Sequence, residues 1–206
     1  MLKGTLSLLL LLFLGGCALV APETGARAPI SKPDPAQCLA DLRASGARFR
    51  ELTDISTPDG CQVANAVELQ RLASGLNRPA TMSCPTALAL ARFDSIVLRP
   101  LAREYLGQSV RTIHHVGAYD CRNQRDGKRI SQHGLGQAID LWAIELGDGT
   151  ILKIRDDWRG KTASTTYLRK AAKGACDIFH LVLTPSSDYD HKDHLHLDLG
   201  PWKRCW

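Results

Sequence analysis

His194-Leu195-His196-Leu197-Asp198-Leu199 alternates polar and apolar side chains with a period of two. In an extended strand this sends His194, His196 and Asp198 to one face and the three leucines to the other. The leucine face reads as core. A strand packed on a core has little reason to carry two imidazoles and a carboxylate on its opposite face unless they meet a metal, one another or water. The segment therefore predicts a half-buried strand that builds a polar site.

A second segment supplies the missing parts. Residues 131 to 140 read Ser-Gln-His-Gly-Leu-Gly-Gln-Ala-Ile-Asp. A catalytic zinc commonly takes three protein ligands from His and Asp or Glu and keeps one position open, and His133, Asp140 and His196 form the expected set. Gly134 and Gly136 allow a tight turn or a close backbone approach between the first two. His194 should project beside His196, near enough to take a proton from water or to donate to a tetrahedral intermediate. Asp193 is the competing base, although strand alternation turns it to the other face unless residue 193 still lies in the loop. Asp198 can orient a histidine through its second nitrogen, and His191 is expected at the rim. Ser131 has no general base at an informative spacing and reads as a hydrogen-bonding residue of the loop that presents His133.

The rest of the chain reads as helices and strands around this site. Gln37 to Ala47 predicts a short helix ended by Gly46. Val63, Val67 and Leu69 lie in a segment whose type the pattern leaves open. From Cys84-Pro85 a longer helix is expected, with Leu90, Phe93, Val97, Leu101 and Tyr105 recurring at three and four residues, and Pro100 should kink or split it. Ser109 to Tyr119 predicts a strand whose His114-His115 pair reads as packed or surface histidines rather than ligands. Gln137–Leu146 and Thr150–Ile154 read as strands joined through Gly147-Asp148-Gly149, which places Asp140 inside or at the end of a rigid strand. Ser164 to Ala175 predicts a helix started by Thr162 or Ser164; Ile178 to Leu183 predicts a strand, and the residues from Thr184 to Asp190 a loop.

The amino terminus points to export. Lys3, an apolar run from Leu6 to Leu14 and Gly15-Gly16-Cys17 make a bacterial secretion signal, too short for a confident membrane span. Leu14-Gly15-Gly16-Cys17 resembles a lipobox, which implies a signal over residues 1–16, lipidation of Cys17 and, with Ala18 next, retention at the outer membrane facing the periplasm; cleavage near Ala21 would instead release a soluble periplasmic protein. Residues 17–36, rich in proline, read as a tether, and residues 37–206 as one domain with a real core. Of the 7 cysteines, Cys38, Cys61, Cys84, Cys121, Cys176 and Cys205 remain after Cys17, so three disulfides are expected in an oxidising compartment. The formal charge of +5 is scattered along the chain. With export it makes nucleic acid an unexpected partner, and it suits anionic envelope polymers.

The residues also carry a family resemblance. Ser131-x-His133-x-x-Gly136-x-Ala138-x-Asp140 with His194-x-His196 is similar to the zinc peptidases that include D-alanyl-D-alanine peptidases, lysostaphin-type enzymes and the hedgehog fold. More closely, Gly60-Cys61, Cys84, Tyr119-Asp-Cys121-Arg122, Asp157-Trp158, Ala175-Cys176-Asp-Ile-Phe179 and His191 to Asp198 resemble the extensin-like protein C-terminal family. The resemblance implies a disulfide-stabilised α+β fold with a small central antiparallel sheet flanked by helices. It implies a murein endopeptidase that hydrolyses D-alanyl-diaminopimelate or diaminopimelate-diaminopimelate crosslinks, with Zn2+ on His133, Asp140 and His196, catalysis by His194, and Arg122 gripping a carboxylate or the oxyanion. Gln137 replaces the Asn of many related sequences, and Asp193 is shorter than the Glu used in the dipeptidase group, which favours His194 as base. The rival expectations are a noncatalytic zinc-containing peptidoglycan-binding lipoprotein, a structural lipoprotein with incidental histidines, and a D-alanyl carboxypeptidase or amidase. Oligomeric state has no signal in the sequence.

Overall fold

The computed structural model describes Met1, residues 34–125 and residues 127–206. Residues 2–16 of the signal, Cys17 and the tether up to residue 33 lie outside the described residues. Helix α1 (Pro35–Ala44) begins two residues earlier than its apolar pattern suggests, because the Asp34 carboxylate accepts from the Ala36 N–H and Pro35 fits the first turn. Then follow β1 (Arg48–Glu51), β2 (Ile55–Ser56), β3 (Gln62–Val63), β4 (Ala66–Arg71), β5 (Gly75–Leu76) and β6 (Ala80–Ser83). The segment left open around Val63 to Leu69 is thus strand, and β1-β4-β6 form a three-stranded antiparallel sheet.

Helices α2 (Cys84–Phe93) and α3 (Arg99–Leu106) are joined without a break by a π-helical turn over Asp94–Leu98. The chain therefore stays helical through Pro100, and the irregularity expected there falls on the five residues before Arg99. The wider turn, in which the Arg99 N–H reaches the Asp94 carbonyl, takes up the hydrogen-bond irregularity just before the proline. That turn also presents Asp94, which is buried and accepts from the Ser74 N–H and hydroxyl at 3.0 and 2.6 Å.

The second half of the chain supplies β7 (Val110–Gly117), β8 (Ala138–Leu146), β9 (Ile151–Lys153), the short α4 (Ile154–Asp157), α5 (Ala163–Ala175), β10 (Leu181–Leu183), β11 (Leu195–Asp198) and β12 (Arg204–Cys205). Thr162 caps α5, its hydroxyl accepting from Thr165 N–H. The strand expected from Ile178 begins only at Leu181. The Ile178 and Phe179 N–H groups are spent on the Ala175 carbonyl at the end of α5.

The main sheet among the described residues has seven strands in the order β12-β10-β11-β8-β7-β5, with β9 added on β8. It is mixed, not antiparallel as expected. The pairings around β8 are antiparallel, but β5 pairs parallel to β7 and β12 parallel to β10. The chain between β5 and β7 runs through β6 and the α2-α3 helix, long enough for a parallel crossover. The fold is α+β: Leu90, Phe93, Leu98, Tyr167, Leu168 and Ala172 of the helices share one core with Ile139, Leu141, Leu195 and Leu197 of the sheet. Three disulfides stitch it, Cys38–Cys84, Cys61–Cys121 and Cys176–Cys205.

Candidate metal centre

The apolar residues of β8 and β11 point into that core, so period two sends Asp140 and His196 to the other side of the sheet. The two are directly opposite one another in the antiparallel ladder. Their side chains meet, His196 Nδ1 lying 2.9 Å from Asp140 Oδ1. His133 arrives from a different element, a single 3₁₀ turn over His133–Leu135. Its Nε2 lies 3.2 Å from Asp140 Oδ2 and 3.3 Å from His196 Nδ1. Ligand atoms from the three residues all fall within 4.8 Å of one another, a spacing that can hold a metal ion.

The His133 turn is shaped by close packing. Gly136 follows it with φ near +61°, and a Cβ there would stand 2.5 Å from a Val63 methyl. At Gly134 a Cβ would stand 2.9 Å from Cys61 Sγ. Only glycine fits both places. The Gly136 carbonyl accepts from the Ser83 N–H and the Thr86 hydroxyl, which anchors the turn to the start of α2. Ser131 Oγ accepts from the His133 N–H at 3.3 Å.

The second nitrogen of each histidine is also engaged. His133 Nδ1 is 2.6 Å from the Ala118 carbonyl and so donates to it, which leaves Nε2 as the atom facing Asp140 and His196. His196 Nε2 is 2.9 Å from Asp198 Oδ2, which leaves Nδ1. Carbonyl and carboxylate partners of this kind fix tautomer and ring orientation in metal sites. Asp198 is itself buried, with its other oxygen accepting from the Gly200 N–H.

Electrostatics complete the fit to a cation. Burial opposes charge on Asp140, but hydrogen bonds from His133 and His196 outweigh it and hold the carboxyl well below the usual carboxylate range. Burial likewise opposes protonation of His196, yet Asp140 and Asp198 raise its pKa to about 9. A mostly buried carboxylate with two imidazoles around it is the donor set expected of a divalent transition metal such as zinc.

His194 stands beside this cluster, its Nε2 3.7 Å from Asp140 Oδ1 and its Nδ1 2.9 Å from Asp193 Oδ1. Strand β11 begins at Leu195, so Asp193 does lie in the preceding turn. Its carboxylate meets the far side of the His194 ring and Arg155, and these contacts lower its pKa. His191 is nearer than a rim position: its ring centroid is 5.1 Å from that of His194 and 5.7 Å from that of His196, and Asp188 holds its Nδ1 at 2.6 Å. The His114-His115 pair stays outside the ligand cluster, His114 on Glu145 and His115 buried.

Two clefts open along the site, and the exposed Val116 lines both. Strand β7 is irregular on either side of His115, and such bulges re-aim side chains next to sites. The first cleft, about 580 Å³, is lined by Arg78, Thr81, Tyr119 and Arg122 as well as His133 and Asp140. In it Arg122 Nε pairs with Asp120 at 2.9 Å. The second, about 520 Å³, is lined by Trp142, Lys153, Arg155, Asp156, Asp193 and His194. Arg78, Arg155 and the Ala118 carbonyl carry no spacing signal that sequence could have offered, since each reaches its partner across unrelated segments; Asp188, by contrast, lies three residues before His191.

A family model described as extensin-like protein C-terminus matches residues 36–206. The chain belongs to the extensin-like protein C-terminus family. The match takes in every described strand and helix of this extensin-like domain except the first residue of α1, and with them all of the residues gathered at the candidate metal centre. Neither the curated proteins nor the solved structures contain a match to the chain.

Proposed function

We propose that this extensin-like protein is a zinc-dependent peptidoglycan endopeptidase that hydrolyses D-alanyl-diaminopimelate or diaminopimelate-diaminopimelate crosslinks. One observation carries the reading: His133, Asp140 and His196 bring ligand atoms within 4.8 Å of one another, at the side of an open cleft with His194 adjacent. The similarity of the His133-to-Asp140 and His194-x-His196 motifs to D-alanyl-D-alanine, lysostaphin-type and hedgehog-fold domains supports the same reading and is the reason for proposing a peptidoglycan substrate. The lipobox-like Leu14 to Cys17 adds the location, a protein held by lipid on Cys17 at the outer membrane and facing the periplasm.

His133 Nε2, an oxygen of Asp140 and His196 Nδ1 would hold the zinc. When bound, zinc supplies a Lewis acid that polarises an amide carbonyl and makes water an effective nucleophile at neutral pH. His194 moves the proton at Nε2, taking it from the attacking water and returning it to the leaving amine. Asp193 acts through His194: its carboxylate accepts from Nδ1–H, which fixes the tautomer that leaves Nε2 free to accept. Arg122 offers a guanidinium to the developing oxyanion or to a substrate carboxylate. No covalent acyl-enzyme forms on this route.

The test is mass analysis of purified crosslinked peptidoglycan fragments incubated with the zinc-loaded full-length chain and with its His196→Ala variant. Dimers converted to monomers by the wild-type chain alone are the expected result. Monomers trimmed of a terminal D-alanine would replace the endopeptidase by a carboxypeptidase. Untouched dimers with zinc bound would leave a noncatalytic wall-binding protein.

A further inference from the structure

The two clefts beside Val116 each balance on their linings, Lys153 and Arg155 against Asp156 and Asp193 in the second and Arg78 and Arg122 against Asp120 and Asp140 in the first. They differ in that Asp140 belongs to the ligand cluster. A divalent metal there would turn the balance of the first cleft positive. An anionic group is what such a cleft attracts.

Arg78 is held at both its side chain and its backbone. Its guanidinium donates to the Val116 carbonyl, and its own carbonyl accepts from His115 Nε2 at 3.0 Å. Asn77, next to it, braces the same strand, accepting from the His115 N–H at 3.0 Å and donating to the His115 carbonyl at 3.1 Å. His115 is 2% exposed, and burial lowers its pKa, so the ring is neutral with its proton on the nitrogen that faces Arg78. The arrangement preorganises the guanidinium at the cleft wall and leaves most of its donors unused.

We propose that Arg78, together with Arg122, forms a carboxylate-binding wall on the Gly117–His133 side of the metal centre and selects peptides with a free carboxylate beside the scissile amide. The planar fork of a guanidinium matches a carboxylate with two parallel N–H donors. The inference takes its substrate from the peptidase reading, but binding tests it separately from cleavage.

Two probes suffice: a crosslinked peptide dimer with its diaminopimelate carboxylate free, and the same dimer amidated there. Calorimetry on the zinc-loaded full-length His194→Ala chain reads binding; kcat and KM of the wild-type chain read turnover. The free-carboxylate dimer should bind roughly tenfold or more tightly than the amide. Arg78→Ala should abolish that preference through a raised KM, and Arg78→Lys should keep part of it as a charge without the fork. Equal affinity for the two dimers, binding of neither, or a preference that survives Arg78→Ala would overturn the proposal. A preference for the carboxylate without cleavage by the wild-type chain would uphold the wall and remove the peptidase reading.

Discussion

Asp140 and His196 sit on neighbouring strands, whereas His133, His194 and Arg122 sit on connections, and different forces hold the two halves of the site. The strand-borne pair is set by the register of β8 and β11, which is locked because a slip of one residue would turn Ile139, Leu141, Leu195 and Leu197 out of the core. The loop-borne half has no such lock. It depends on glycines that fit against Val63 and Cys61, on the Gly136 carbonyl bound by Ser83 and Thr86, and on the Cys61–Cys121 disulfide next to Arg122. Removing a strand-borne ligand should therefore empty the site and spare the fold, while loosening the loop side should cost both.

Asp140→Ala is the sharpest break on the strand side. Zinc binding in ligand-saturated sites is worth about 10–16 kcal/mol over its ligands, so loss of one should weaken affinity by on the order of a thousandfold. Competition with a chromogenic chelator measures it, and an affinity within threefold of wild type would remove Asp140 from the ligand set. On the loop side, Cys61→Ala with Cys121→Ala opens a link of sequence separation 60, worth about 4 kcal/mol in the chain-entropy model. Chemical denaturation should show that loss, together with weaker zinc binding through His133. Unchanged zinc affinity in a destabilised protein would show that the turn does not need the disulfide to present its ligand.

Asp198→Asn probes the support of His196 rather than a ligand. Its carboxylate orients the ring through Nε2, and loss of such partners typically costs 10–100-fold in metal affinity. The isosteric change should leave unfolding transitions near wild type, and full zinc affinity would count against the orienting role. The smallest effect expected is from His115. Its folded pKa lies below the ordinary value of 6.5, so as pH is lowered through that value the unfolded chain binds more protons and stability is lost. Denaturation midpoints at pH 7.5 and 5.5 should drop less in His115→Gln than in wild type. Identical pH responses would mean that His115 is not a buried neutral group.

The strand half of the site was legible in the sequence because its signal is periodic. Alternation over His194 to Leu199 and the Gly147-Asp148-Gly149 hairpin each describe neighbours in the chain, and neighbours set the faces of a strand. The loop half was legible only as residue types. That Asp193 lies in a turn and meets His194 Nδ1 follows from where β11 starts, a boundary that hydrophobic pattern locates poorly. Arg155, 38 residues from Asp193, and Arg78, 37 from His115, are brought in by tertiary packing. Parallel edges arise from long crossovers, and the π turn before Pro100 from a local hydrogen-bond compromise; neither leaves a periodic trace. Among the cysteines the count indicated three bridges, while the pairing required the fold.

X-ray absorption at the zinc edge of the metal-loaded full-length chain is the most direct test of a centre built by His133, Asp140 and His196. One zinc per chain with two imidazoles and otherwise oxygen neighbours, losing an imidazole in His133→Ala, is the predicted result. Sulfur neighbours, or a spectrum identical in His133→Ala and wild type, would contradict it.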